Sequence, residues 1–192
     1  MKELLFVTNN NHKLKEIRQI LKDKFNILSL KDIGFVGDIP ETNPTIKENA
    51  IQKSKFIYEQ YKIDCFADDT GLVVPALNGE PGVFSARYAG ENATFEDNIN
   101  LLLKKIRGIN DRFAYFITVI ALIFDGKIYT FEGRVDGEIV MEPIGNNGFG
   151  YDPIFKPLGY DKTFAQMSDE EKNKISHRGL ATRKLAEFLN SK

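Results

Sequence analysis

The first third of the chain alternates short apolar runs with apolar positions at helical spacing, which indicates strands and helices in turn. Residues 4–7 are apolar and predict a buried strand that ends at the polar residues 8–11. Leu14, Ile17 and Leu21 then recur at the spacing of one helix face. We therefore expect the chain to begin with a strand, a polar loop and a helix.

A second helix is predicted from about residue 44 to residue 62, and its start has two interpretations. Asn43 could cap the helix with Pro44 in the first turn. Alternatively, Thr45 caps it, because Glu48 follows at the spacing of a capping box. The positions predicted to face inward are Ile46, Ala50, Ser54, Ile57 and Tyr61.

The remaining pattern predicts a short strand at residues 65–67, a third helix, a β-hairpin and a last helix that begins near Arg178. The third helix carries an apolar stripe at Ile99, Leu102, Leu103 and Ile106. Asp125-Gly126 separates two β-rich runs, residues 113–124 and 127–135, which is a strong hairpin signal. Helices and strands that alternate early and then give way to a hairpin favour an α/β fold with a mixed sheet.

Composition adds that this is an ordinary globular chain. Its 192 residues correspond to a single domain, 1–192, or to one domain with two lobes. The formal net charge of −1 argues against a globally basic nucleic-acid binder, so we expect no nucleic-acid partner. The single cysteine, Cys65, excludes an intrachain disulfide and is best interpreted as a small core hydrophobe.

Apolar runs are too short to indicate a membrane protein. The longest, residues 113–124, falls well below the ~20 residues of a membrane-spanning helix. Residues 4–7 are far too short for the core of a signal peptide. We therefore expect a soluble, cytoplasmic protein with no membrane partner.

The first candidate for chemistry is the polar segment between the first strand and the first helix. A strand-to-helix turn presents backbone N–H groups and the positive end of a helix, which suits phosphate. Its side chains add hydrogen-bonding groups and a cation: Thr8, Asn9, Asn10, Asn11, His12 and Lys13. The alternative is a polar turn that only caps the helix.

Two acidic segments could hold a metal ion. Glu41 lies shortly before the second helix, which carries Lys53, although Lys53 could simply be solvated. Asp68 and Asp69 follow an apolar strand, and adjacent carboxylates are costly to bring together unless a cation is near. Mg²⁺ is commonly shared between one or two carboxylates and substrate phosphates. The alternative for residues 68–71 is a turn.

Two later segments could contact a flat ring or an anion. Phe149 is flanked by Gly148 and Gly150, so the backbone can approach a ligand closely and the ring can stack on a base. The alternative is a flexible loop with one buried aromatic. Residues 171–178 offer cations and hydrogen-bond donors, and the alternative for them is a solvated charged segment.

Six segments in chain order resemble those of the inosine triphosphate pyrophosphatase family, enzymes that remove non-standard purine nucleotides. They are T-N-N-x-H-K at 8–13, E-T and E-N-A-x-x-K within 41–53, A-D-D-T-G-L at 67–72, P-G-V-x-S-A-R-Y at 81–88, G-F-G-Y-D-P-I-F at 148–155 and E-E-K-N-x-I-S-H-R at 170–178. Any one segment is weak, but six in order across nearly the whole chain are specific.

The resemblance implies an α/β fold with an elongated mixed β-sheet flanked by helices, two lobes around a central cleft, and a homodimer. It also implies Mg²⁺-dependent hydrolysis of ITP, dITP and XTP to the monophosphate and pyrophosphate. Two other functions stay open on the residues: a pyrophosphatase of different nucleotide specificity, and a nucleotide-binding module without catalysis.

The resemblance also assigns roles to residues of this chain. Asp69 would be the general base, and the metal would be held by Glu41 and Asp69, with Asp68 as a further metal ligand. Because a carboxylate that binds a metal is a poor base, the division of the two tasks between Asp68 and Asp69 stays open. Residues 8–13 would hold phosphates. The other substrate contacts would be Lys53, Thr70, Phe149, Gly150, Tyr151, Asp152, Lys172, His177 and Arg178. Asn9 stands where the family often has glycine and Thr70 where serine is common, and neither departure removes the chemistry.

Overall fold

Six strands form one mixed sheet in the computed structural model, which describes residues 2–192. In spatial order the sheet is β2-β1-β3-β4-β5-β6, where the strands are Lys2–Phe6 (β1), Phe25–Leu28 (β2), Cys65–Val73 (β3), Phe113–Phe124 (β4), Lys127–Ile139 (β5) and Phe155–Pro157 (β6). β1 pairs in parallel with β2 and β3, whereas β5 and β6 are antiparallel. The α/β class and the mixed sheet are therefore confirmed.

The α-helices among the described residues are Asn11–Leu21 (α1), Ile46–Tyr61 (α2), Phe95–Ile106 (α3), Asp169–Ile175 (α4) and His177–Asn190 (α5). The start of α2 settles the two interpretations of its cap. The Thr45 hydroxyl accepts a hydrogen bond from the Glu48 backbone N–H at 3.2 Å, so Thr45 is the cap and Asn43 is not. No helix within residues 2–192 is long and apolar enough to span a membrane.

The hairpin between β4 and β5 has the turn that its sequence predicts. Asp125 and Gly126 have φ angles of 48° and 71°, the left-handed values of a type I′ turn. Gly126 reaches this conformation at little steric cost, and aspartate tolerates it better than most residues.

The chain divides into two compact units. The first comprises the residues up to Asp69, together with Thr118–Gly133 and His177–Lys192. The second comprises Thr70–Ile117 and Arg134–Ser176. This division agrees with the two lobes that the resemblance implies, and the central cleft and the assignment of both lobes to one domain stay predictions.

In the first unit, helices pack against both faces of the sheet. Successive residues of a strand point to opposite faces, so neighbouring residues of β3 contact different helices. Phe66 on β3 belongs to the core cluster that includes residues of α1 and α5. Its neighbours Cys65 and Ala67 belong to the cluster that includes Ile57 of α2. Cys65 is fully buried, and burial raises the pKa of its thiol to about 12, which confirms it as a core hydrophobe.

The second unit has a core of its own, built on the apolar stripe of α3. Leu102 and Ile106 are fully buried and pack in one cluster with Phe116, Phe155 and Phe164. The predicted stripe is thus confirmed as the inner face of α3. This core supports the segment that carries Phe149 and the helix α4 that carries Lys172.

Candidate active site

β3 runs straight through the acidic pair instead of ending before it. The strand extends to Val73, so the interpretation of residues 68–71 as a turn is wrong. Both carboxylates are buried, with Asp68 0% and Asp69 6% exposed. Because the side chains of adjacent strand residues alternate, Asp68 points to the face of Phe66 and Asp69 to the face of Ala67. The two carboxylates therefore have different surroundings.

Asp68 is held between two cations. Lys13 on α1 donates from Nζ to Oδ1 at 3.0 Å, and Arg178 on α5 donates from Nε to Oδ2 at 3.0 Å. Arg178 also donates from Nη1 to Glu16 Oε2 at 2.5 Å. Burial alone would raise the pKa of Asp68, but the charges of Lys13 and Arg178 outweigh it and hold the pKa well below its usual range. Asp68 is therefore an ionised anchor for Lys13 and Arg178.

Lys53 of α2 joins the other carboxylate to Glu41. Its Nζ lies 2.5 Å from Glu41 Oε1 and 3.7 Å from Asp69 Oδ1. Lys53 is buried, so the interpretation of it as a solvated side chain is wrong. Burial lowers the pKa of Lys53, but the charges of Asp69 and Glu41 together raise it above its usual value. The side chain therefore stays an ammonium ion between two carboxylates.

One carboxylate oxygen of Asp69, Oδ2, is buried without a hydrogen-bond partner. Buried polar atoms are nearly always satisfied. Burial raises the pKa of Asp69 to about 6, although the Lys53 charge opposes this shift. An unsatisfied carboxylate oxygen at this position could accept a hydrogen bond from a water molecule or bind a cation.

The carboxylates of Glu41 and Asp69 are ligands of a type that fits Mg²⁺, because one oxygen of Asp69 has no hydrogen-bond partner. Glu41 and Asp69 place two carboxylates around one ammonium ion, and Asp69 has an oxygen to spare. Mg²⁺ prefers oxygen ligands and often takes only one or two carboxylates, with water and substrate phosphates completing its shell. Residues 2–192 contain no cluster of three or more His, Cys, Asp or Glu side chains that could hold a metal ion.

The polar segment before α1 forms a helix cap, as its alternative interpretation predicts. Asn10 Oδ1 accepts from the backbone N–H groups of His12 and Lys13, at 2.9 and 3.1 Å. Thr8 Oγ1 accepts from the Asn10 N–H at 3.0 Å, and Asn9 donates to the Gly37 carbonyl at 2.9 Å. Asn11 and His12 are exposed at the start of the helix. The cap gives this segment a fixed shape, and phosphate binding there stays a prediction.

Two residues of this region escaped the sequence reasoning. Glu16 is buried and accepts a hydrogen bond from Arg178. The sequence feature that could have indicated it is its position three residues after Lys13, which places both side chains on one helix face. Gly133 on β5 lies against the start of α5, where a Cβ atom would be 2.0 Å from the His177 carbonyl oxygen and 2.7 Å from the Ala181 nitrogen. Its signal was an isolated glycine within a strand pattern.

We expect Gly133→Ala to lower the free energy of unfolding by about 1–3 kcal/mol, the usual cost of overpacking. The added methyl group meets backbone atoms of α5, which cannot move aside by changing a rotamer. Urea unfolding measures the change. Glu132→Ala on the same strand is the control, because that side chain is exposed and should change stability by no more than about 0.5 kcal/mol. Equal stability of both variants would contradict the close contact.

A second group of predicted residues is assembled in the second unit. Asp152 Oδ2 accepts from the Phe149 backbone N–H at 3.0 Å and from Lys172 Nζ at 2.6 Å. The Lys172 ammonium also lies 4.9 Å from the centroid of the Phe149 ring. Asp152 and Lys172 are buried, while Phe149 is half-buried and Gly148 and Gly150 have left-handed φ angles of 72° and 60°. The turn around Phe149 is therefore held in place by the buried ion pair between Asp152 and Lys172.

Burial within residues 171–178 corrects their interpretation as a solvated segment, and the structure also places Tyr151 and Thr70. Lys172, His177 and Arg178 are all buried, so the interpretation of residues 171–178 as a solvated segment is wrong for these three. The Tyr151 hydroxyl donates to the Ser85 carbonyl at 2.7 Å, and burial raises the pKa of Tyr151, so this side chain belongs to the core. Thr70 is half-buried on β3, next to Asp69.

Each unit thus collects part of the predicted set. The first holds Thr8, Asn9, Asn10, Asn11, His12, Lys13, Glu41, Lys53, Asp68, Asp69, His177 and Arg178. The second holds Thr70, Phe149, Gly150, Tyr151, Asp152 and Lys172. The individual contacts of these residues with phosphate or base stay predictions.

An α/β sheet with buried, charged side chains and perturbed pKa values on a central strand is typical of an enzyme's active site. The sequence profile of the Ham1 family matches residues 4–188, and the chain belongs to this family. A relative from Flavobacterium johnsoniae, named dITP/XTP pyrophosphatase, is 52% identical over 98% of this chain and 98% of its own. A relative of the same name from Flavobacterium psychrophilum is 53% identical over 98% of this chain and 100% of its own. The solved structure of a HAM1 protein from Coxiella burnetii matches with a TM-score of 0.91 and 40% identity, covering 100% of both chains.

Proposed function

We propose that this protein hydrolyses the non-standard purine nucleoside triphosphates ITP, dITP and XTP to the monophosphate and pyrophosphate. The observation that carries the proposal is the buried Asp69 carboxylate, which has an unsatisfied oxygen and lies beside Lys53 and Glu41. Relatives about half identical over the full length are named for dITP and XTP, which supports the same substrate class.

The reaction is an in-line attack of water on the α-phosphorus, with pyrophosphate as the leaving group. Asp69 is the general base that orients the water and takes its proton. Asp69 is buried and its Oδ2 has no hydrogen-bond partner, so this oxygen can accept a hydrogen bond from the attacking water. Asp68 is unsuited to this task, because each of its oxygens already accepts from a cation.

The negative charge of the triphosphate and of the leaving group must be neutralised. Glu41 and Asp69 would hold Mg²⁺, which supplies positive charge to the phosphate oxygens. Lys13 and Lys53 are ammonium groups of the right type to assist, and residues 8–13 are assigned to the phosphates. Asp68 acts as a positioning residue, because it holds Lys13 and Arg178 in place.

Recognition of the base is assigned to Phe149, Lys172, His177 and Arg178, together with the backbone around Gly150. Hypoxanthine and xanthine carry an oxygen at position 6, which accepts a hydrogen bond, whereas adenine carries an amino group, which donates. A donor placed for the oxygen would be left unpaired against adenine, at a cost of about 1–3 kcal/mol. ATP should therefore be hydrolysed roughly 10- to 100-fold less efficiently than ITP on this contact alone.

The test is turnover of ITP and ATP side by side, with and without Mg²⁺, scoring pyrophosphate separately from phosphate. Mg²⁺-dependent pyrophosphate release from ITP, with ATP much slower, is the expected result. Release of phosphate would place the attack at the γ-phosphorus and overturn the mechanism. Binding of ITP without turnover would support a binding module, and equal rates on ATP would refute the account of base selection.

We also propose, on the resemblance, that the protein is a cytoplasmic homodimer that acts on free nucleotides rather than on nucleic acid or membranes. Sedimentation of the purified protein tests the dimer. A monomer at all concentrations that support activity would contradict it.

A further inference from the structure

The first residue of α3 is a large aromatic side chain that the helix does not require. Thr94 caps α3 through a capping box with Asp97, and the buried face of the helix starts at Asn98 and Ile99. Phe95 stays 47% exposed. Its ring centroid lies 6.1 Å from that of Phe149, with the planes tilted by 49°. Phe95 therefore contacts the ring to which base stacking is assigned.

The Phe149 ring depends on contacts from outside its own segment. Gly148 and Gly150 on either side carry no side chains that could support it. Asp152 fixes the Phe149 backbone through the bond to its N–H, and the Lys172 ammonium faces the ring at 4.9 Å. The bond to Asp152 fixes the backbone of Phe149, and Lys172 places a positive charge over its ring. Neither contact sets the orientation of the ring as a neighbouring aromatic ring does. Aromatic pairs with centroids about 4.5–7 Å apart attract each other and prefer offset-stacked or edge-to-face arrangements, and the Phe95–Phe149 pair lies within this distance range at an angle between the two.

We propose that Phe95 is a positioning residue for recognition of the purine base. It packs against Phe149 and keeps that ring in the orientation in which a flat base stacks on it. This inference rests on the proposed function, since it concerns the base-stacking role of Phe149. None of the six motifs that carry the family resemblance contains position 95, so Phe95 is a feature of this chain beyond those motifs.

The test is Phe95→Leu, which keeps an apolar side chain but removes the ring. Because ring pairs of this kind shift an equilibrium by about two- to tenfold, KM for ITP should rise by about that factor. We expect kcat to stay within about twofold, because the chemistry at Asp69 is untouched, and the melting temperature to change little at this exposed site. Phe95→Tyr should restore KM, because it restores the ring.

Phe84→Leu is the matched control. Phe84 is also an exposed phenylalanine of the second unit, at 57%, but its ring pairs with the Arg87 guanidinium at 5.3 Å and not with Phe149. KM for ITP should be unchanged in this variant. A rise in KM for both variants would mean a general effect of losing a surface ring and would overturn the role of Phe95.

Phe149→Leu separates failure of this inference from failure of the proposed function. If Phe95 acts through Phe149, then Phe95→Leu adds nothing to KM in the Phe149→Leu background. A raised KM in Phe149→Leu with an unchanged KM in Phe95→Leu overturns the inference and leaves the function intact. No effect of Phe149→Leu overturns both the stacking role and this inference, whereas absence of ITP turnover in the unmodified protein overturns the function itself.

Discussion

Asp69→Asn is expected to lower kcat for pyrophosphate release from ITP by about 10²–10⁴-fold, the usual contribution of a general base. The amide cannot take a proton from water, and it is a poorer ligand for a cation than the carboxylate it replaces. The change keeps the size and shape of a side chain that is 6% exposed, so the surrounding packing is preserved. A steady-state assay with ITP and Mg²⁺ measures the effect.

The same variant should fold at least as stably as the unmodified protein. Burial raises the pKa of Asp69 to about 6 from its ordinary value of 3.8, so the folded state disfavours the ionised carboxylate. The unfolded carboxylate ionises above 3.8 whereas the folded one keeps its proton up to about 6, so the penalty grows between these two pH values and is constant above about 6. In metal-free buffer, the stability difference should therefore move in favour of Asp69→Asn over that range, as urea unfolding at pH 4 and pH 7.5 would show.

Asp64→Asn is the control for Asp69→Asn. Asp64 immediately precedes β3, and its Oδ2 accepts from the Asp125 N–H at 3.2 Å, a bond that an asparagine oxygen can keep. Activity should stay within about twofold of the unmodified protein, in line with an ordinary substitution away from the site. Full turnover by Asp69→Asn would remove Asp69 from the role of base.

Arg178→Ala is expected to cost about 3–5 kcal/mol of unfolding free energy, the range measured when one member of a buried ion pair is removed. Arg178 is 1% exposed and bonds both Asp68 and Glu16. Without it, Asp68 and Glu16 each lose a bond to the guanidinium, while both carboxylates remain buried. Chemical unfolding at pH 7.5 measures the loss, and activity should fall with it, because Lys13 and Asp68 lose their neighbour.

The loss should shrink as the pH falls below about 4. The cations hold the pKa of Asp68 below its usual range, so the stability that this pairing contributes is present above the unfolded value of 3.8 and is lost as the pH falls. Arg134→Ala is the control, since its pair with Asp136 at 2.7 Å is exposed and should contribute at most about 1 kcal/mol. Equal losses for both arginines would show that the buried network adds nothing specific.

Local patterns predicted the elements of this fold because their causes lie within a few residues of each other. The Asp125-Gly126 turn, the stripe of α3 and the Thr45 cap each depend on backbone conformation or side-chain spacing inside one short segment. The resemblance then located the charged residues that the structure buries, but as separate motifs. It gave neither the partner of each carboxylate nor its surroundings.

The sequence by itself therefore determined the strands, the helices and the residue types of the site, while the tertiary structure decided what each charge does. That β3 continues past its acidic pair depends on neighbouring strands, and this continuation sends Asp68 and Asp69 to opposite faces of the sheet. Arg178 bonds to Asp68, which is 110 residues away along the chain, and to Glu16, which is 162 residues away. Local sequence patterns span only a few residues and cannot predict such pairs. Burial makes a charge costly unless its partner is in place. Only the folded chain shows that both oxygens of Asp68 bond to cations, whereas one buried oxygen of Asp69 has no hydrogen-bond partner.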